Sequence, residues 1–176
     1  MPGFLWNATV RTPLALHLRI LDAYLGGEGS GRVSLMSVLP IAADTGVAEL
    51  NAAALHRFLA EAAWYPTALL PACGVHWSAI SDHAALATLT DRGLTVSLEF
   101  RFNDSGEVTG IYTPSRYRRI GNAYQPEPWE GRFARYERRA GMRIPTFGEV
   151  GWYDAHEWRA AWRGELLHAD YRFESR

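Results

Sequence analysis

Arg57 and Glu61 stand four residues apart, and Trp64 follows three further on. In a helix that spacing sets a cation, a carboxylate and an indole on adjoining turns, because residues three and four apart are neighbours on a helix surface. Glu61 falls at the border of the apolar stripe formed by Leu50, Ala54, Leu55, Phe58, Leu59 and Ala62. One reading makes it a carboxylate facing a space between helix and sheet, with a raised pKa and acid–base capacity. The other makes it half of an ion pair that anchors the helix to sheet arginines. As acid or base it would serve a hydrolase or isomerase, but such chemistry needs a second group within hydrogen-bond reach, and the sequence names none.

Cys73 and His76 are three apart, yet a thiol nucleophile also needs an orienting third group and an oxyanion site, and neither is visible. The plainer expectation is a small, semi-buried cysteine beside a loop histidine. The six histidines include His76, His83 and the run Asp154-x-His156-Glu157, without the close paired spacing that fixes a zinc tetrahedron. No metal and no cofactor are expected. Between Arg116 and Arg143 eight arginines face three acids, interleaved with Tyr117, Trp129 and Tyr136. Such a stretch could stack single-stranded nucleic acid, or it could be a sheet surface whose arginines pair with Glu99, Glu127, Glu130 and Glu137. The arginines alternate between both strand faces, which disfavours a binding stripe, so no nucleic-acid partner is expected. The seven tryptophans suit either a cavity for an apolar guest or the filling of a large core.

These side chains need elements to hold them. Phe4, Trp6, Ala8 and Val10 alternate with Asn7, Thr9 and Arg11 as in a strand, and Leu14, Leu16, Leu18 and Ile20 repeat the pattern after Pro13. The glycine-rich run Gly26–Gly31 reads as a turn, with a third strand over about Val33 to Leu39. It opens no helix, so it is not a phosphate cradle. From about Val47 to Trp64 the spacing predicts one long amphipathic helix, begun near Glu49 and ended by Pro66. Period-two alternation then returns, with strands at Val75–Trp77 and Ala85–Thr88 around a turn at Ser81-Asp82. It is clearest where Val96, Leu98, Phe100 and Phe102 share a face. Asn103–Gly106 turns the chain into Val108–Tyr112, and further strands are predicted near Tyr117, Phe133–Arg139, Met142–Pro145 and Gly148–Tyr153. Asp154–Glu157 has the look of a helix-capping box, whereas Ala169–Phe173 looks extended.

A chain of 176 residues is sized for a single domain, and a net charge of −1 supplies no global field toward nucleic acid or anionic membranes. The single cysteine rules out an internal disulfide and fits a reducing compartment. All 18 basic residues are arginine, which excludes Schiff-base lysines and a P-loop lysine. No signal peptide and no membrane span are visible, so the expected location is cytoplasmic.

The stretch Arg57–Pro71, RFLAEAAWYPTALLP, resembles the signature of an uncharacterised bacterial family catalogued as a domain of unknown function. Pro2-Gly3-Phe4-x-Trp6, Val75-x-Trp77, Phe100-x-Phe102, Arg116-Tyr117, Pro128-Trp129-x-Gly131-x-Phe133, Glu149-Val150-x-Trp152 and Trp162-x-Gly164 match in order. The resemblance implies an architecture similar to the periplasmic lipoprotein carriers, a strongly curved antiparallel half-barrel with helix on its concave face. In such a fold the stretch after Asp154 is a strand with a bulge. The resemblance implies further strands upstream of the Pro2-Gly3-Phe4 element at which this sequence begins, so the Phe4–Val10 strand is expected to present an unpaired edge and a route to a homodimer. No activity comes with the resemblance. The leading expectation is a non-enzymatic domain binding an apolar or lipid-like ligand between sheet and helix. Trp6, Phe58, Trp64, Trp77, Phe100, Phe102 and Trp129 would line the site, with Arg57, Glu61, Arg116 and Tyr117 as polar contacts. The alternative is a protein-interaction or self-association module with a packed core.

Overall fold

The computed structural model describes residues 1–11 and 16–173, so Pro13 and, of the predicted second strand, Leu14 lie outside the described residues. The described chain runs β1 (Phe4–Arg11), β2 (His17–Leu25), β3 (Glu28–Leu35), β4 (Leu39–Thr45) and α1 (Ala48–Glu61). Two 3-10 turns, Pro66–Leu69 and Pro71–Cys73, lead into β5 (Val75–Ser81), β6 (Ala84–Asp91) and β7 (Leu94–Phe102). The chain ends through β8 (Val108–Ile120), β9 (Ala123–Arg139), β10 (Met142–Asp154) and β11 (Glu157–Glu165). Strands β1 to β4 form one antiparallel sheet in sequence order, and β5 to β11 pair as neighbours in a second. Neither sheet closes into a barrel. Contacts divide the chain into two compact units. The first is Met1–Phe58 with Thr90–Val96 and Arg116–Pro126; the second is Leu59–Leu89 with Ser97–Ser115 and Glu127–Arg176.

In the first unit the glycine-rich run corrects the sequence reading. Only Gly26 and Gly27 turn the chain, while Glu28 to Leu35 is strand β3 and a fourth strand follows at Leu39–Thr45. Gly29 explains the glycine inside a strand. A Cβ there would lie 2.8 Å from the Leu50 carbonyl oxygen and 3.0 Å from the Ala54 Cβ, so its absence lets the β3 backbone approach the backbone of helix α1 closely. The β3–β4 turn escaped notice because Met36 and Ser37, with φ of 53° and 62°, occupy left-handed positions that glycine or asparagine usually mark.

Helix α1 has 14 residues, shorter than the predicted Val47–Trp64. Its last turn tightens: Trp64 N–H donates to the Glu61 carbonyl at 2.8 Å and Tyr65 N–H to Ala62 at 3.1 Å, a three-residue spacing that ends the α-helical ladder before Pro66. Nor is it a simple amphipathic element. Ala52, Ala53, Ala54, Leu55 and His56 are all buried, and five successive residues span more than a full turn.

The alternation of β7 holds, with Val96 buried in the first unit and Leu98 and Phe100 in the second. The predicted pair of strands around Pro145 is the single strand β10. Thr146 Oγ1 donates to the Arg135 carbonyl at 2.7 Å, and Arg135 takes a φ of 58°, so a local distortion absorbs the proline without ending the strand. Asp154–Glu157 begins no helix. Ala155 and His156, with φ of 45° and 76°, make a two-residue hairpin turn, and β11 pairs back on β10 with a register shift at Val150/Gly151. Ala169–Phe173, expected to be extended, forms no regular element.

Candidate functional site

The register of β1 to β4 sorts the side chains of the first unit onto two unlike faces. Ala8, Ile20, Val33 and Ala42 stand opposite one another across all four strands, and nearer the β3–β4 turn Val10, Leu18, Leu35 and Leu39 do the same. Every member of both rows is aliphatic, and none of the eight is buried. Successive strand residues point to opposite faces, so the alternate rows carry a different chemistry. They read Thr9, Arg19, Ser34 and Pro40, then Asn7, Leu21, Arg32 and Ala43.

Further along the aliphatic face, helix α1 takes over. Gly29 N–H donates to Asn51 Oδ1 at 2.7 Å, and Arg57 reaches Asp22 at 2.8 Å. The Arg57 guanidinium also lies 4.6 Å from the centre of the Trp6 ring and 5.3 Å from that of Phe4. A cation held over two aromatic rings while paired to a carboxylate is fixed in place by both attractions. Arg116 donates to the Ala53 carbonyl of α1 from Nε and Nη2, at 3.3 and 3.1 Å. Tyr117 is half-buried on β8. Tyr24, completely buried on β2, donates its hydroxyl to Asp91 at 2.8 Å, and burial, with that carboxylate beside it, pushes the phenol's pKa up.

Phe58 is half-buried on α1 in the first unit, and the remaining expected site residues belong to the second. Trp77, Phe100 and Phe102 form one aromatic group, Trp77 edge-on to Phe100 at 5.3 Å and Phe100 stacked with Phe102 at 6.4 Å. Trp77 Nε1 donates to the Leu69 carbonyl at 2.9 Å, tying the strand to the first 3-10 turn. Trp64 stands apart from this group. It meets Phe133 and Trp162 edge-on at 5.4 and 6.2 Å and donates to the Pro145 carbonyl at 3.0 Å. Gly148 lies beneath it, where a Cβ would fall 2.8 Å from the indole. Trp129 pairs instead with Trp152, directly opposite on β10, at 6.3 Å. Glu61 is half-buried in the last turn of α1.

Sequence reasoning treated the arginine-rich strands as a surface paired to acids, without placing the pairs. Glu130 is their centre. It is buried, and accepts from Tyr153 Oη at 2.7 Å, Arg132 Nε at 2.8 Å and Arg101 Nη1 at 3.4 Å. Burial alone would raise its pKa, but these donors and the two positive charges outweigh that and hold the carboxyl below its ordinary value. Arg132 stacks 4.1 Å from the Trp158 ring, and that indole lies across Gly151. Arg101 pairs with Glu99 at 2.7 Å, and Arg139 with Glu137 at 2.8 Å. Cys73 is exposed, not semi-buried as expected, because it ends a 3-10 turn at the surface, where its thiol faces the Thr67 carbonyl at 3.3 Å. Among the described residues no group of three histidine, cysteine or acidic side chains is placed to hold a metal ion.

These features define a mainly antiparallel β protein, with two sheets and one α-helix among the described residues and its charged residues arranged chiefly in pairs. The chain belongs to a family of unknown function (DUF6920), whose model matches residues 1–171. No curated protein and no solved structure matches it.

Proposed function

We propose that this protein is a non-enzymatic binding domain whose ligand is apolar or lipid-like and lies along the aliphatic rows of the β1–β4 sheet beside helix α1. The observation that carries the reading is the unbroken aliphatic composition of those two rows, left partly open to solvent. Open aliphatic surface is costly in water at roughly 25 cal/mol per Å², so an acyl chain or similar guest laid there would be bound by the area both surfaces lose. Arg57, held between Asp22 and the Phe4 and Trp6 rings, supplies a cation at the end of the rows where a polar head could rest. The aromatic groups of the second unit, Trp77–Phe100–Phe102 and Trp64–Phe133, support this reading as core that rigidifies the fold. The half-barrel curvature expected from the resemblance and the single-domain organisation expected from chain length belong to the same proposal.

The test is native mass spectrometry of freshly purified protein with solvent extraction, followed by titration with a fluorescent fatty acid. A bound apolar compound, and an affinity lowered roughly tenfold or more by Leu39→Asp, are expected from losing one aliphatic contact and burying a charge. Leu39 is exposed, so the variant keeps its fold. Apo protein that ignores the fatty acid would count against the reading. A second reading, self-association, is favoured by β1 and β4, which are the edges of their sheet.

A further inference from the structure

The net charge of −1 conceals an uneven distribution along the β1–β4 sheet. From the β3–β4 turn inward, the first five rows of paired residues carry Arg11, Arg19, Arg32 and His17 and no carboxylate. The rows beyond them carry Asp22, Asp44 and Glu28 and no cation. Those acids are largely answered within the same unit, Asp22 by Arg57 and Asp44 by Arg119 and by Tyr124 at 2.9 Å. Among the described residues no acid is paired with the cations at the other end: Arg19 donates to the neutral side chain of Asn7, and His17 meets Ser37. At the same end, in the β3–β4 turn and along β4, Val38, Leu39 and Ile41 are 83%, 61% and 58% exposed, and Met36 and, on β1, Val10 are exposed as well.

Aliphatic side chains projecting from a turn, backed by cations and free of acids, are complementary to one kind of surface. A bilayer offers apolar depth for the first and anionic headgroups for the second, whereas a soluble acidic protein would leave the aliphatic side chains in water. We infer that this end of the β1–β4 sheet docks on an anionic lipid surface. Val38, Leu39 and Ile41 enter the boundary between headgroups and acyl chains, and Arg11, Arg19 and Arg32 meet the phosphates. The proposal goes beyond the ligand-binding reading and does not require it.

The experiment is flotation of the full chain with vesicles of phosphatidylcholine alone and of phosphatidylcholine mixed with phosphatidylglycerol. Binding is expected only to the mixed vesicles, and it weakens as salt screens the arginines. Arg11→Ser with Arg32→Ser lowers the partition coefficient on the order of tenfold. Val38→Asp with Ile41→Asp lowers it at least as far, and both variants melt like the parent because these side chains are exposed. Equal binding to neutral vesicles, no flotation with either, or an arginine variant that floats like the parent would overturn the proposal. So would sedimentation equilibrium showing a dimer that Val38→Asp with Ile41→Asp dissolves, since a second copy would then occupy the patch. Fatty-acid titration without vesicles keeps the two readings apart. A protein that floats but takes no fatty acid sinks only the ligand reading, and one that takes it but never floats sinks only this one.

Discussion

Glu130 is the residue with most to lose by neutralisation, because Arg101, Arg132 and Tyr153 all converge on its carboxylate. Glu130→Gln keeps the shape and removes the charge, leaving two guanidinium groups without that partner, and should destabilise the fold by about 1–3 kcal/mol in urea unfolding. The pH dependence follows from the depressed pKa. The unfolded chain binds this proton more tightly, so the carboxylate's contribution is complete above its ordinary pKa of 4.5 and disappears as pH falls through the lower folded value. Wild-type protein should therefore lose stability on acidification below that value more steeply than Glu130→Gln. Parallel slopes would remove Glu130 from the account. The sequence marked Glu130 only as one acid among arginines; its centrality depends on the pairing registers that carry from β7 through β8 and β9 to β10, which spacing along the chain does not encode.

At the level of elements, the contact between β3 and α1 hangs on a missing methyl group. Gly29→Ala would drive a Cβ against the Leu50 carbonyl, a backbone atom that cannot swing aside, and should cost about 1–3 kcal/mol. Gly31→Ala is the control, since the nearest atom there is a carboxylate oxygen of Asp22 at 3.3 Å, on a side chain able to adjust. Equal melting temperatures for the two variants would show that β3 and α1 do not depend on this approach. Hydrogen exchange should rank the strands: β4, with Asp44 alone not fully exposed, loses protection first, and β7, with Val96, Leu98 and Phe100 buried, loses it last. This scale was the most legible from sequence. Strict alternation placed β1, β5, β6 and β7, whereas the strand after Asp154 was expected only from the family resemblance, against its own capping signal. What failed were turns built from ordinary residues in left-handed conformations, Met36-Ser37 and Ala155-His156, and a strand rich in glycine, where local propensity points away from the structure. The aliphatic rows were invisible for a related reason. Each strand contributes two unremarkable residues, and only the pairing of four strands gathers them.

For the molecule as a whole, reactivity is sparse. The chain has no lysine and one cysteine, and Cys73 is exposed. Amine-directed reagents should attach once, at the α-amino group, and a thiol reagent once, in native buffer, at the rate of an accessible thiol. Thiol labelling that waits for denaturant would contradict the surface position of Cys73. Signals in the far ultraviolet are less simple. Trp129 and Trp152 face each other across β9 and β10 with their rings tilted by 49°. Two such chromophores share their excitation, and a pair that is neither parallel nor perpendicular gives a circular dichroism couplet of its own, superimposed on that of the backbone. A spectrum decomposed on peptide bands alone will misjudge the helix and strand content. The same couplet, removed by Trp129→Phe, is a built-in optical gauge of whether β9 and β10 have found their register.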